Sequence, residues 1–218
     1  MSSYNTAQSA KHASWSYAEQ HRLDDPVLEA ARHSAGELGI SAIGTGTAAT
    51  LTVLAAAVKA RTLVEIGTGV GAASVALLRG ASADAVLTSI DYDAEHLAAA
   101  RSTLKAEGIP ASRTRLITGR AEDVLQRLTG SAYDLVFIDG DSAHLVQHVE
   151  QSLRLLRPGG MLIMEDALDH DAVPRPAVRS ESAHVRRTVE RMILEDASVF
   201  STLLPTGTGL LTAVKRLG

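Results

Sequence analysis

The chain has no cysteine in its 218 residues, which excludes a disulfide framework, a thiolate metal site and catalysis by a cysteine nucleophile. Aromatic residues are scarce at 3%, so Ala, Val and Leu must pack most of a core that the 45% apolar content can supply. Neither sign of charge dominates. The formal net charge of −4 gives no general attraction to nucleic-acid phosphates or anionic lipid. No apolar run reaches the roughly 18 residues needed to span a bilayer. The opening segment, MSSYNTAQSAKHASW, lacks the apolar centre of a signal peptide. These absences favour a cytoplasmic globular protein without a membrane or nucleic-acid partner. A basic cluster, Arg186-Arg187 with Arg191, shares its helix with Glu181, Glu190 and Glu195 and reads as a solvated face.

What is present is an alternation. Residues 1–25 form a polar N-terminal arm with Trp15 and Tyr17 as isolated anchors, and residues 26–218 read as one domain. DPVLEAARHSAGEL predicts a helix capped by Asp25, with Pro26 at its first position and Gly39 after its end. The Gly44-Thr45-Gly46-Thr47 loop then leads into a second helix, AATLTVLAAAVKA. From there β-branched runs at 62–66, 86–90, 114–118, 133–138 and 161–165 alternate with helical segments at 72–80, 93–107, 121–129 and 142–156. A further helix is expected over 181–195. Strands separated by helices of this length imply βαβ units, hence an α/β fold with a parallel sheet and right-handed crossovers. SVFSTLLP and GLLTAVKR, joined through Thr206-Gly207-Thr208, predict a C-terminal hairpin.

The first strand runs into Glu65-Ile66-Gly67-Thr68-Gly69-Val70-Gly71, where a helix begins. Glycines at such a junction let backbone approach a ligand closely, and the helix start presents free N–H groups. Asp91 ends the next strand, where a carboxylate can accept the two hydroxyls of a ribose. The same glycines also satisfy a dinucleotide fingerprint. Glu65 discriminates: a carboxylate there repels a pyrophosphate but favours the cationic amino end of S-adenosylmethionine. The competing reading has Glu65 binding only backbone groups at the strand end.

LVEIGTGVGAAS, TSIDYDAEHLAAAR, TRLITGRAEDVL, YDLVFIDGD and LLRPGGMLIMED, in that order, resemble the catechol and caffeoyl-CoA type of O-methyltransferase, in its bacterial branch. The resemblance runs from about residue 15 to the C-terminus. It implies a Rossmann-like, seven-stranded, mostly parallel sheet with helices on both faces and an antiparallel last strand. It also implies that Glu65 and Gly67 face the methionine moiety of S-adenosylmethionine, Asp91 the ribose, Tyr92 and Ala121 the adenine, and Asp139 the methionyl amino group. Ile43, Thr68, Gly71, Ser74, Gly119 and Asp141 complete the expected cofactor contacts. Ser74 stands one place beyond the family's usual serine, since Gly71-Ala72-Ala73 replaces Gly-Tyr-Ser.

Relatives that methylate catechols use a divalent cation, and the resemblance places its ligands at Asp139, Glu165 and Asp166. Oxygen ligands suit Mg²⁺ or Ca²⁺, which would lower the acceptor's pKa and fix it near the methyl group. Glu165-Asp166 departs from the family's Asp-Asn, and adjacent strand residues point to opposite faces. The alternative reading makes Asp139 and Asp141 helix caps and the other two solvated loop acids. The family's lysine is missing from Asp139-Gly140-Asp141-Ser142, which leaves His144 and His170 as titratable substitutes for the base. His148, one turn on, is expected to share the face of His144.

The expected function is methyl transfer from S-adenosylmethionine to a small hydroxylated acceptor, by a homodimer. Three alternatives stay open: a degenerate, inactive cofactor-binding dimer; a nicotinamide-dependent oxidoreductase, against which Glu65 and the terminal hairpin argue; and a nucleic-acid methyltransferase, for which the chain offers no Asn-Pro-Pro-Tyr motif. Residues between His170 and Ser182 are expected to line the acceptor pocket.

Overall fold

The structure, a computed structural model, describes residues 12–22, 25–140 and 142–217. A helical stretch α1 covers residues 12–19 and is followed by α2 (Pro26–Glu37) and α3 (Thr45–Ala57). The alternating part runs β1 (Thr62–Ile66), α4 (Ala72–Gly80), β2 (Val86–Asp91), α5 (Ala94–Ala106), β3 (Thr114–Thr118), α6 (Ala121–Leu125), β4 (Tyr133–Ile138) and α7 (Leu145–Leu155). It ends with β5 (Leu156–Met164), α8 (Glu181–Glu195), β6 (Val199–Leu204) and β7 (Leu210–Lys215).

The strands form one seven-stranded sheet in the order β3-β2-β1-β4-β5-β7-β6. The first five pair in parallel, and β7 runs antiparallel to both of its neighbours. This is the expected α/β architecture. The order reverses at β1 and β4, and that reversal opens a crevice at the carboxyl ends of the central strands.

Strand periodicity sorts the core into two layers. Leu63, Leu87, Leu135 and Ile163 face one side, packed with α2, α3 and α4 residues such as Leu28, Leu51 and Leu77. Val64, Val136, Leu162 and Ala213 face the other, with Leu145, Val149, Val189 and Ile193 of α7 and α8. Aliphatic side chains fill both layers, and Phe137 is the one aromatic among the largest fully buried side chains.

Asp25 caps α2 as expected, accepting the N–H groups of Val27 at 3.1 Å and Leu28 at 3.2 Å. Some boundaries differ. The Gly44–Thr47 segment is the start of α3 and not a loop before it: Gly44 is its N-cap, and Thr50 ties back to the Gly46 carbonyl at 2.8 Å. β5 begins at Leu156, before Pro158-Gly159-Gly160, because Leu156 pairs with Tyr133 ahead of a register shift. Helices α6 and α7 are shorter than their apolar patterns predict. Residues 12–19 lie against their own chain. Trp15 Nε1 donates to the Pro205 carbonyl, and Glu19 Oε1 accepts the Gly207 N–H at 2.9 Å.

Candidate active site

A cavity of about 570 Å³ opens at the carboxyl ends of β1, β2 and β4. Its wall carries Ile43, Gly67, Thr68, Asp91, Tyr92, Gly119, Ala121 and Asp139, which the sequence singled out. Gly67 has φ +85°, and a Cβ there would lie 1.8 Å from the Asp139 carbonyl oxygen. The two strand ends are therefore in backbone contact, and only glycine fits. Asp139 N–H continues the ladder to the Ile66 carbonyl at 2.8 Å, which fixes where its side chain leaves the sheet.

Asp91 is held on both oxygens. Oδ2 accepts the Gly69 N–H at 2.9 Å; Oδ1 accepts the Asp93 N–H at 2.9 Å and lies 3.2 Å from His96 Nδ1. A ribose diol at this position would meet a preoriented acceptor. His96 also lines the cavity, although no motif in the sequence marks it. The available signal was local: Asp93 caps α5, which puts His96 in the first turn, beside the end of β2.

Glu65 and Ser74 are placed differently from the other expected contacts. Both are wholly buried beneath the glycine loop, outside the cavity wall. Glu65 Oε2 accepts the hydroxyls of Ser74 and Ser89, each at 2.5 Å. Its partners are thus side chains and not the backbone groups of the competing reading. Ser89 spends its only proton on Glu65, so Thr68 donates to Ser89 across their 2.6 Å contact. A chain of hydrogen bonds thereby joins the cavity wall at Thr68 to Glu65. Glu65 Oε1 has no hydrogen-bond partner. Burial pushes the Glu65 pKa up to about 8, despite the two serines that pull it down. Asp139 rises to about 6 through burial and the nearby acids Asp166 and Asp91. Two acids raised in this way beside one cavity are stabilised by a cationic ligand. Gly71 caps α4 behind the loop with φ +83°. Asp141 lies outside the described residues.

The cavity also holds a cluster that sequence reasoning saw only in part. Glu122, Arg120, His144 and His148 share its wall. Glu122 Oε1 lies 3.6 Å from His144 Nε2, and Oε2 lies 3.7 Å from His148 Nε2. The two imidazoles are neighbours as expected, with ring centroids 6.2 Å apart. His144 lines the cavity, whereas His170 lies outside it with its side chain 81% exposed. No residue between His170 and Ser182 reaches the cavity wall. That loop is drawn onto α8, where Arg187 donates to the carbonyls of Ala172, Val173, Arg175 and Val178 at 2.8–3.0 Å.

The expected cation ligands do not form a set. Asp166 follows β5 with φ +54°, and its Oδ2 accepts from Arg186 Nη2 at 2.6 Å. Glu165 turns toward Thr47 and Thr208, whose hydroxyls donate to its Oε1 at 3.4 Å. Its pKa is raised to about 8, mainly by burial. Among the described residues, no three His, Asp or Glu side chains are arranged to hold a metal ion. A divalent ion roughly 5 Å from the Arg186 guanidinium would be repelled by about 7 kcal/mol at an effective dielectric of 20. Residues 139, 165 and 166 do not fit the cation. The solvated-face reading is corrected for Arg186, only 7% exposed, and for Arg187, bound to loop carbonyls, whereas Arg191 is exposed as expected.

Comparison with known proteins decides the family. The O-methyltransferase family profile matches residues 13–217. The chain belongs to the O-methyltransferase family. The methyltransferase is 41% identical over 199 residues to an O-methyltransferase homologue of Mycobacterium sp. (strain JLS), covering 91% of this chain and 90% of the other. A crystal structure of a Corynebacterium glutamicum protein superposes with a TM-score of 0.87 at 28% identity, covering 96% of this chain and 98% of that one. The O-methyltransferase TomG of Streptomyces achromogenes, solved in complex with S-adenosylmethionine, gives a TM-score of 0.81 at 26% identity. That match covers 89% of this chain and 92% of TomG. The expected enzyme class is thus met: a Rossmann-like methyltransferase of the kind that uses S-adenosylmethionine.

Proposed function

We propose that the cavity binds S-adenosylmethionine and presents its methyl group to the hydroxyl of a small acceptor. One observation carries this reading: Asp91, clamped by Gly69 and Asp93, and Asp139, raised in pKa, face one cavity across the glycine loop. The first suits a ribose and the second a methionyl ammonium. Ile43, Tyr92 and Ala121 supply the apolar and aromatic wall that a nucleobase needs. Glu65 braces the loop from below through Ser74 and Ser89. The bound cofactor supplies an activated methyl on a sulfonium, so alignment of the acceptor oxygen provides much of the rate.

His144 and His170 remain the proposed titratable groups for the acceptor proton, with His144 on the cavity wall and His170 at the rim of the β5 loop. Mg²⁺ or Ca²⁺ takes no part in this transfer, because Asp139, Glu165 and Asp166 do not fit such an ion. We further propose a cytoplasmic homodimer in which residues 1–25 act as an arm to a single domain over 26–218. Exposed Tyr17, Val53 and Phe200 support an association surface. No described helix is long and apolar enough to cross a membrane.

The test is incubation with methyl-labelled S-adenosylmethionine and a panel of phenols, catechols and aliphatic hydroxy acids. Label in an ether or ester product supports the reading. A panel that leaves the label untouched, with cofactor bound, favours the inactive cofactor-binding alternative.

A further inference from the structure

Arg186 projects from α8 into the end of β5, where its side chain is only 8% exposed. Its Nε donates to the Asp166 backbone carbonyl at 2.6 Å and its Nη2 to Asp166 Oδ2 at 2.6 Å, a two-point grip on one residue. Nη1 lies 3.4 Å from Asp169 Oδ1 and donates to the Ser182 carbonyl at 3.5 Å. Ser182 in turn donates its hydroxyl to Asp169 Oδ2 at 2.9 Å. The guanidinium thus sits at the centre of two carboxylates and two carbonyls, from the loop after β5 and the first turn of α8.

The backbone it holds is unusual. Asp166, Asp169, His170 and Asp171 have φ values of +54°, +50°, +48° and +66°. Non-glycine residues rarely adopt this conformation, and a run of them persists only when surrounding contacts fix it. Arg186 provides those contacts at Asp166 and Asp169. Next to it Arg187 ties down the rest of the loop.

We infer that Arg186 is a resident cation that takes the place of a divalent metal at the end of β5, making this O-methyltransferase metal-independent. It neutralises Asp166 and orders the β5–α8 loop, so that Asp166 is already paired with a cation of the chain itself. Asp166 answers the extra charge: where a neutral side chain would serve a metal site, a carboxylate serves an arginine. The arginine is a positioning residue, since its donors are spent on protein acceptors. The inference rests on the cavity's being the cofactor site, and S-adenosylhomocysteine binding checks that point separately.

The test uses the full-length protein and thermal unfolding in MgCl₂, CaCl₂, MnCl₂ or EDTA, with S-adenosylhomocysteine affinity measured in parallel. The wild type is expected to show the same midpoint in all four, and an affinity constant within about twofold, because no coupling links cation and cofactor. Arg186→Met strips the guanidinium from two acids, Asp166 and Asp169. Its midpoint is expected to rise by about 5 °C or more at about 10 mM cation, as a site of ~0.1 mM affinity would give. The paired variant Asp166→Asn with Arg186→Met removes both charges together and guards against loss of folding in the single variant. It is expected to gain the same cation response, whereas Arg186→Lys stays unresponsive. Stabilisation of the wild type by any of the three ions would overturn the inference. So would a folded paired variant that ignores them. Loss of S-adenosylhomocysteine binding by the wild type in every buffer would instead overturn the cofactor reading.

Discussion

Gly69 donates its backbone N–H to Asp91 Oδ2 at 2.9 Å, so the glycine loop after β1 and the acid ending β2 form one unit. The loop sets the carboxylate's direction, and the carboxylate sets the loop's shape. Asp91→Ala removes both the ribose acceptor and this brace. The expected result is a loss of roughly 10- to 100-fold in S-adenosylmethionine affinity, the range for charge-assisted hydrogen bonds. Equilibrium binding of the variant checks it, and an unchanged affinity would contradict the placement of the ribose.

Gly67 makes a sharper prediction. A side chain there meets the Asp139 carbonyl at 1.8 Å and also suffers a positive φ. Gly67→Ala is expected to lower stability by about 2–4 kcal/mol, the sum of left-handed strain and a forced backbone shift. Urea denaturation measures the change. Cofactor affinity should fall with it, because the β1 and β4 ends must move apart.

Glu65 links stability to pH. Its folded-state pKa of about 8 exceeds the ordinary 4.5, so the folded chain keeps a proton that the unfolded chain gives up. The contribution of this group to stability is then greatest below about 4.5 and is lost as pH rises toward about 8. Asp139, raised to about 6, and Glu165, raised to about 8, act in the same direction. Glu65→Gln is expected to flatten the decline by up to about 1.4 kcal/mol per pH unit. Denaturation midpoints across that window for both proteins check the sign. A wild type that gains stability with rising pH would refute this account of the buried acids.

Asp134 supplies a control at the other end of the central strands, near the start of β4. It accepts the N–H groups of Arg61 and Thr62 at 2.7 and 2.8 Å and pairs with Arg157 Nε at 2.5 Å. Although burial acts to raise its pKa, these contacts hold it below the usual value. Asp134→Ala leaves several donors unmatched and is expected to cost about 3 kcal/mol of stability. Cofactor affinity should not change. Loss of affinity without loss of stability would contradict this purely structural role.

Much of this was legible in the sequence because it is written locally. Short β-branched, apolar runs at 62–66 and 133–138 gave the strands, Asp25 and Pro26 gave the start of α2, and the glycines gave the cavity floor. What escaped depends on contacts distant in the chain. Arg186 and Arg187 sit among glutamates on one helix, a pattern indistinguishable from a solvated face until the β5 loop folds back over them. Glu165 and Asp166 are adjacent in sequence but diverge, one toward Thr47 and Thr208, the other toward Arg186. The start of β5 was hidden by Pro158-Gly159-Gly160, where turn residues interrupt a strand already paired at Leu156.

The most direct test of the central claim is calorimetric titration of the purified protein with S-adenosylmethionine, run in EDTA and repeated with NAD. The account predicts saturable one-site binding of S-adenosylmethionine in EDTA, weakened by Asp91→Ala, and no binding of NAD. Binding of NAD in place of S-adenosylmethionine would contradict it and assign the glycine loop to a pyrophosphate.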